Sequence, residues 1–190
     1  MSRLTRDDII AGAGRRFASH GYHGTSMRDL GDDLGILGSS IYAHVGGKQE
    51  LLAAVIDRGA AFFEASAMRA QREGRPADET LAELIAGHVD VVLDHRSEAR
   101  TYLSETQVLD DEDRKRVSEA RDRYESVFVD VITRGQAEGI FPGDRDPRLT
   151  AIYVLSILNT IDRWFDEGGR VDRHGLAADI FGFVVDGLGC

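Results

Sequence analysis

The chain has 190 residues, 42% of them hydrophobic and 29% charged, with only three prolines; this is the composition of a folded protein able to bury a core as one large or two small domains. No window approaches the roughly 18 apolar residues of a membrane span, the first ten residues lack the apolar run of a signal peptide, and the single cysteine, Cys190, leaves no internal disulfide, so a cytoplasmic protein with no membrane role is expected. The formal net charge of −10 weighs against a generic nucleic-acid binder, yet residues 1–60 carry seven Lys or Arg and seven Asp or Glu, so the acid excess lies wholly beyond them.

Almost every segment has helical spacing. Ile9, Ile10, Ala13 and Phe17 form one face of a helix opened by Thr5 and closed by Gly21. Ser26 to Asp29 reads as a capping box with Asp in place of Glu. It opens a short helix with apolar positions Met27, Leu30 and Leu34, ended by Gly35. The next helix is expected over 38–44, with Leu37, Ile41 and Val45 inward. A long amphipathic helix over about 48–72 carries Leu51, Leu52, Val55, Ile56, Phe62 and Phe63. Gly74-Arg75-Pro76 breaks it, and Asp78 is expected to cap a helix over 81–95. A further helix is expected over 98–108, and a long charged one over 111–138 ends at Gly139. Asp146 followed by Pro147 is an N-cap with proline at the first helical position. It launches a helix over 149–167 that is apolar nearly all round across AIYVLSILNTI and is closed by Gly168-Gly169. Asp172 begins the last helix, with Leu176, Ile180, Phe183, Val184 and Leu188 on one side. No alternating strand pattern or repeat interrupts the series, and the expected class is all-α with about nine helices.

Two short helices joined by a tight glycine-containing turn are a helix-turn-helix unit, whose second helix enters the major groove of DNA. That groove is about 12 Å wide and admits one helix with its side chains. The entering helix must then be packed on one side and polar on the other. Ile41 and Val45 face inward; Ser39 and Ala43 point almost opposite them, with Ser40 and Tyr42 on the flanks. The small residues at 39, 40 and 43 allow the backbone to approach base edges.

The run GYHGTSMRDLGDDLGILGSSIYAHVGGKQELL, residues 21–52, resembles the DNA-binding domain of TetR-type transcriptional regulators. The matching positions are Phe17, Gly21, Thr25, Leu30, Gly35, Ile41, Tyr42, His44, Lys48, Glu50 and Leu51. The resemblance implies a three-helix DNA-binding domain over 1–47 and a helical ligand-binding and dimerisation bundle over 48–190, connected by the helix at about 48–72. It implies DNA contact through Thr25, Ser26, Arg28, Leu37, Ser39, Ser40, Tyr42, His44 and Lys48. Tyr42, Lys48, Thr25 and His44 would meet phosphates; Ser39, Ser40 and Arg28 are the base-edge candidates. The chain departs from the family pattern at Val45, where an aromatic is usual, at Gly38, where lysine or a polar residue is common, and at Ala43, often Tyr or His.

Polar groups embedded in the later helices suggest an effector pocket: Tyr102, Glu105, Thr106, Gln107, Tyr124, Asn159, Arg163 and Trp164, with Phe128 beside them. RWFDEGG, with YLSETQ upstream, resembles the branch of the family that senses acyl-CoA thioesters. Arg114, Lys115, Arg116, Arg121 and Arg123 either meet CoA phosphates or pair with nearby acids. The apolar helix near 149–167 and the last helix suit a two-fold interface in a homodimer, with an intramolecular core as the alternative. His20 and His23 fall across a helix end, His88 and His95 read as ordinary buried or surface histidines, and no metal site, cofactor or catalytic set is expected. The expected function is therefore a ligand-responsive regulator, a repressor, that binds a palindromic double-stranded operator as a dimer and is released by a small effector such as an acyl-CoA. The alternative is a helical lipid- or acyl-CoA-binding protein or enzyme with no DNA role.

Overall fold

The computed structural model describes residues 4–188. Cys190 lies outside the described residues, as does the side chain of Leu188. Among the described residues every regular element is helical: α1 (Arg6–His20), α2 (Met27–Leu34), α3 (Gly38–Ile41), α4 (Lys48–Ala70), α5 (Ala77–Asp94), α6 (Arg96–Ser104), α7 (Asp111–Ala137), α8 (Pro147–Leu158), α9 (Ile161–Trp164) and α10 (Arg173–Leu188), with a 3-10 turn over Thr106–Val108. The all-α expectation holds. Two compact units form, Met1–Ala61 with His95–Glu119 and Phe62–Asp94 with Ala120–Cys190.

In the first unit the local signals act as read. Thr5 and Ser26 both close full capping boxes, each hydroxyl accepting from the backbone N–H three residues on while Asp8 and Asp29 reach back to the cap N–H. Those bonds hold both carboxyls below the ordinary aspartate range, the cap hydroxyl being the largest cause. Gly35 ends α2 at φ 68°, a left-handed conformation that glycine adopts without a Cβ penalty. Ile9, Ala13, Phe17, Leu30, Ile41, Leu51, Leu52, Val55 and Ile56 form the fully buried centre, and α6 packs against α1. Each large aliphatic or aromatic side chain among them contributes about 1.5–3 kcal/mol of burial.

The second unit is built around α5, against which α8, α9 and α10 pack. Its centre contains Phe63, Leu81, Leu84, Ile85, Val89, Phe128, Ile132, Val154, Leu158 and Ile161. Arg173 at the start of α10 ties this unit together, bonding Asp94 at 2.7 Å, Glu167 at 2.6 Å and Asp90 at 3.4 Å. The hydrogen bonds to Asp94 and then Glu167 raise its pKa further.

Several element boundaries differ from expectation. The helix expected over 38–44 is regular only over Gly38–Ile41. Beyond it Ala43 and His44 donate to the carbonyls three residues back, a tightened final turn. Leu37, expected inward, is the N-cap of α3 and is 74% exposed. The helix expected over 149–167 breaks after Leu158, because both the amide and the hydroxyl of Thr160 donate to the Ile157 carbonyl and pull the chain out of α geometry. The segment 98–108 similarly divides into α6 and the 3-10 turn. Asp78 is not a cap: α5 begins at Ala77, whose amide donates to the Glu138 carboxylate at 3.3 Å. The caps by Asp146 and Asp172 form as expected, each accepting from the amide three residues on.

Candidate nucleic-acid interface

The α2–turn–α3 unit rests on backbone contact at two glycines. A Cβ on Gly31 would lie 2.5 Å from the Gly38 amide nitrogen and 2.7 Å from the Ile36 carbonyl oxygen. One on Gly38 would lie 2.7 Å from the Met27 oxygen and 3.0 Å from the Arg28 Cα. The departure at Gly38 thus has a steric reason in this chain: α2 passes so close that no side chain fits. Ile41 and Val45 pin α3 from beneath, both buried, while Leu37, Ser39, Ser40, Tyr42 and Ala43 are exposed. Ser26 and Arg28 at the start of α2 are exposed or half-exposed as well, and His44 is half-buried. Tyr42 is 55% exposed, a phenol standing beside two serine hydroxyls. The result is a surface with hydroxyls, one guanidinium and an exposed leucine of the kind that meets thymine methyls, and hydroxyls and guanidinium suit base edges and phosphates.

Two expected contact residues are placed differently. Thr25 is buried, and its hydroxyl donates to the Gly21 carbonyl at 2.9 Å, so that group is not offered to solvent. Lys48 donates to two carbonyls, those of Tyr22 at 2.8 Å and Thr25 at 2.7 Å, and its ammonium stands 4.0 Å from the Tyr22 ring centroid. These bonds fasten the α1–α2 turn to the first residue of α4. An ammonium carries three donors, so one N–H remains beyond the two carbonyls. Lys48→Met, which keeps the stem and removes the donors, is expected to cost about 1–3 kcal/mol of stability, measured as a lower denaturant midpoint with unchanged slope.

Sequence reasoning missed the bonds that hold this turn from the other side. The Tyr22 hydroxyl donates to Gln49 Oε1 at 2.7 Å, and Gln49 Nε2 donates to the Val108 carbonyl at 2.7 Å. The Tyr22 amide donates to Glu105 at 3.3 Å. The Glu105 carboxylate, expected to face an effector, instead meets the α1–α2 turn. No sequence signal marks partners 83 and 59 residues apart.

The other effector candidates divide between the two units. Tyr102, Glu105, Thr106 and Gln107 belong to the first; Tyr124, Phe128, Asn159, Arg163 and Trp164 belong to the second. Tyr124 and Phe128 are buried side by side, ring centroids 5.5 Å apart. Asn159 follows the last residue of α8, and Arg163 and Trp164 sit exposed on α9. Trp164 edges an apolar groove of about 580 Å³ with Ile157, Val171, Ile180 and Phe183. Of the arginines considered for phosphates, Arg114 pairs with Asp111, Arg116 with Asp57 and Asp113, and Arg123 with Glu64, so the acid-pairing alternative describes these three.

His88 carries a signal that the sequence did not give. It is fully buried in the second unit, its Nδ1 lies 3.1 Å from the Tyr124 hydroxyl, and its Nε2 has no partner among the described residues. Burial pushes its pKa down to about 3, so the ring is neutral. Among the described residues no group of three His, Cys, Asp or Glu side chains is placed to hold a metal, and no helix is long and apolar enough to cross a membrane.

The family described as "Bacterial regulatory proteins, tetR family" matches residues 9–55, and "Tetracyclin repressor-like, C-terminal domain" matches residues 74–188. The HTH-type transcriptional repressor KstR2 of Mycobacterium tuberculosis is 26% identical over 186 residues, covering 96% of this chain and 92% of that one. The solved structure of the TetR-family regulator PfmR from Thermus thermophilus is similar at 27% identity and TM-score 0.86, over 95% of this chain and 98% of that one. A structure of AibR in complex with isovaleryl coenzyme A and operator DNA has the same fold, with 23% identity and TM-score 0.87 over 95% and 97% of the two chains.

Proposed function

This chain belongs to the TetR family of transcriptional regulators, and from that premise we propose that it is a repressor that holds a palindromic operator as a homodimer and lets go when an acyl-CoA-type effector binds. The observation that carries the reading is the exposed, hydroxyl-bearing side of α3 raised on a buried Ile41–Val45 base and backed by α2 at backbone contact. In this reading residues 1–47 meet DNA and residues 48–190 take the effector and pair the protomers. Ser39, Ser40, Arg28 and Leu37 read base edges; Tyr42, Ser26, His44 and the remaining N–H of Lys48 position the phosphates. With its neutral head and acidic body, the chain depends on these specific contacts more than on bulk charge.

Two protomers are needed because one four-residue helix reads only one half-site, and paired half-sites lie about 34 Å apart or a multiple of it. Support for pairing comes from apolar side chains left in solvent on α8 and α10: Leu149, Ile152, Tyr153 and Phe183. The acyl-CoA class is supported by AibR, whose complex contains isovaleryl coenzyme A, and by the RWFDEGG run. The effector must bind the released state more tightly than the DNA-bound one, or nothing shifts. Phe183→Glu tests the pairing. Since Phe183 is 69% exposed, the fold should survive; the variant is expected to sediment as a monomer and to bind operator at least about tenfold more weakly, whereas a dimer with wild-type affinity would contradict this interface.

A further inference from the structure

His88 sits among rings. Its imidazole centroid is 4.7 Å from that of Phe63, Phe63 meets Tyr124 edge-on at 5.5 Å, and Tyr124 meets Phe128 edge-on at 5.5 Å. Every one of these side chains is buried. An aromatic cluster gains nothing in stability from a ring nitrogen that bonds to nothing, because a buried polar atom without a partner is costly and rare. The Nδ1 side is answered by the Tyr124 hydroxyl at 3.1 Å. A phenol is the better donor of the two and the pyridine-type nitrogen of a neutral imidazole the better acceptor, so Tyr124 donates and Nδ1 accepts. The proton of the neutral ring is then on Nε2. That N–H points a donor into an apolar setting and asks for an acceptor that the described residues do not supply.

We propose that the second unit binds its effector with a carbonyl oxygen on His88 Nε2, the acyl body lying against Phe63, Tyr124 and Phe128. The inference rests on the reading of this chain as an effector-responsive regulator and adds to it the polar anchor of the site. The ligand class is an apolar molecule with one carbonyl inside its buried part, and the source of that carbonyl is either the thioester of an acyl-CoA or a ketone within the hydrophobic body. His88 would act as a specificity residue: a chain of the same length without the carbonyl leaves the N–H unanswered in the complex and is rejected for that reason.

Two probe pairs separate the sources. Decanoyl-CoA and its thioether S-decyl-CoA differ only in the thioester carbonyl; androst-4-ene-3,17-dione and its parent hydrocarbon androst-4-ene differ only in the ketone oxygens, a hydroxyl being unsuitable as the control because it also accepts from an N–H. Affinities are measured by calorimetry on the full-length wild type, His88→Phe and His88→Gln, with operator binding recorded for each. The wild type is expected to prefer the carbonyl member of one pair by at least about tenfold. His88→Phe should lose the preference while still binding operator, and His88→Gln, which keeps an N–H donor, should retain part of it. Equal preference in wild type and His88→Phe overturns the proposal. So does a wild type that treats both members of each pair alike, the result expected if an ordered water alone satisfies Nε2. A wild type that binds operator but none of the four probes also overturns it and leaves the DNA-binding reading standing, whereas a wild type that binds no operator defeats that reading first.

Discussion

Gly31→Ala is expected to abolish most operator binding while leaving the second unit folded. A methyl group at this position meets backbone, namely the Gly38 nitrogen at 2.5 Å and the Ile36 oxygen at 2.7 Å. Backbone cannot swing away as the end of a side chain can. Relief requires α2 and the turn before α3 to separate by a few tenths of an ångström or more, and overpacking of this kind costs about 1–3 kcal/mol. The larger consequence is positional. The exposed face of α3 would turn relative to α1, and two or three contacts worth about 1 kcal/mol each would be lost from every half-site, about tenfold or more in affinity per protomer. The check is a gel shift alongside thermal unfolding. A small drop in melting temperature with a large loss of affinity is the expected pattern; unchanged affinity would show that the close packing of α2 on α3 is not what aims the reading face.

The second large effect is on acid stability. His88 titrates near 6.5 in an unfolded chain and at about 3 in the fold, because burial disfavours the charged ring. With the folded pKa below the unfolded one, the unfolded state binds the proton first. The contribution to stability is therefore complete above about pH 6.5 and is lost as pH falls through the window toward 3. The gap corresponds to about 5 kcal/mol in total, of which about 3 kcal/mol is gone between about pH 7 and about pH 4. Carboxylates titrate in the same range, so the informative quantity is the difference between wild type and His88→Phe. Urea unfolding at the two pH values is expected to show the wild type losing about 3 kcal/mol more than the variant. Parallel losses in both proteins would mean that His88 is reached by solvent or by a compensating charge.

Much of the architecture was legible because it is local. Thr5 with Asp8, Ser26 with Asp29, and Asp146 with Pro147 each specify a helix start within four residues, and each forms. Gly21, Gly35 and Gly139 mark stops at positive φ. What failed depended on choices that local pattern leaves open. Asn159 and Thr160 look tolerable inside an apolar helix, yet the Thr160 hydroxyl competes for a carbonyl and the helix divides. Leu37 fits the inward spacing of Ile41 and Val45, but it precedes the helix, where the spacing no longer applies. The exposed side of α3 was legible in its chemistry, with Ser39, Ser40 and Tyr42 exposed as the periodicity required. Its supports were not. Lys48 on the Tyr22 and Thr25 carbonyls, Gln49 between Tyr22 and Val108, and Glu105 on the Tyr22 amide all link residues far apart in the chain. The same holds for His88, one histidine among six in the sequence, whose meaning comes only from the rings folded around it.

The proposal that the exposed side of α3 reads duplex DNA is tested by a binding titration on DNA from beside the protein's own gene at several salt concentrations. Wild type is compared with Tyr42→Ala and with the double variant Ser39→Ala, Ser40→Ala. Because none of these side chains is buried, all three proteins should melt alike. Tyr42→Ala is expected to weaken binding to specific and unrelated DNA together, while the serine double variant loses about tenfold or more on the specific site and little on unrelated sequence. Wild-type affinity and selectivity in both variants would contradict the proposal.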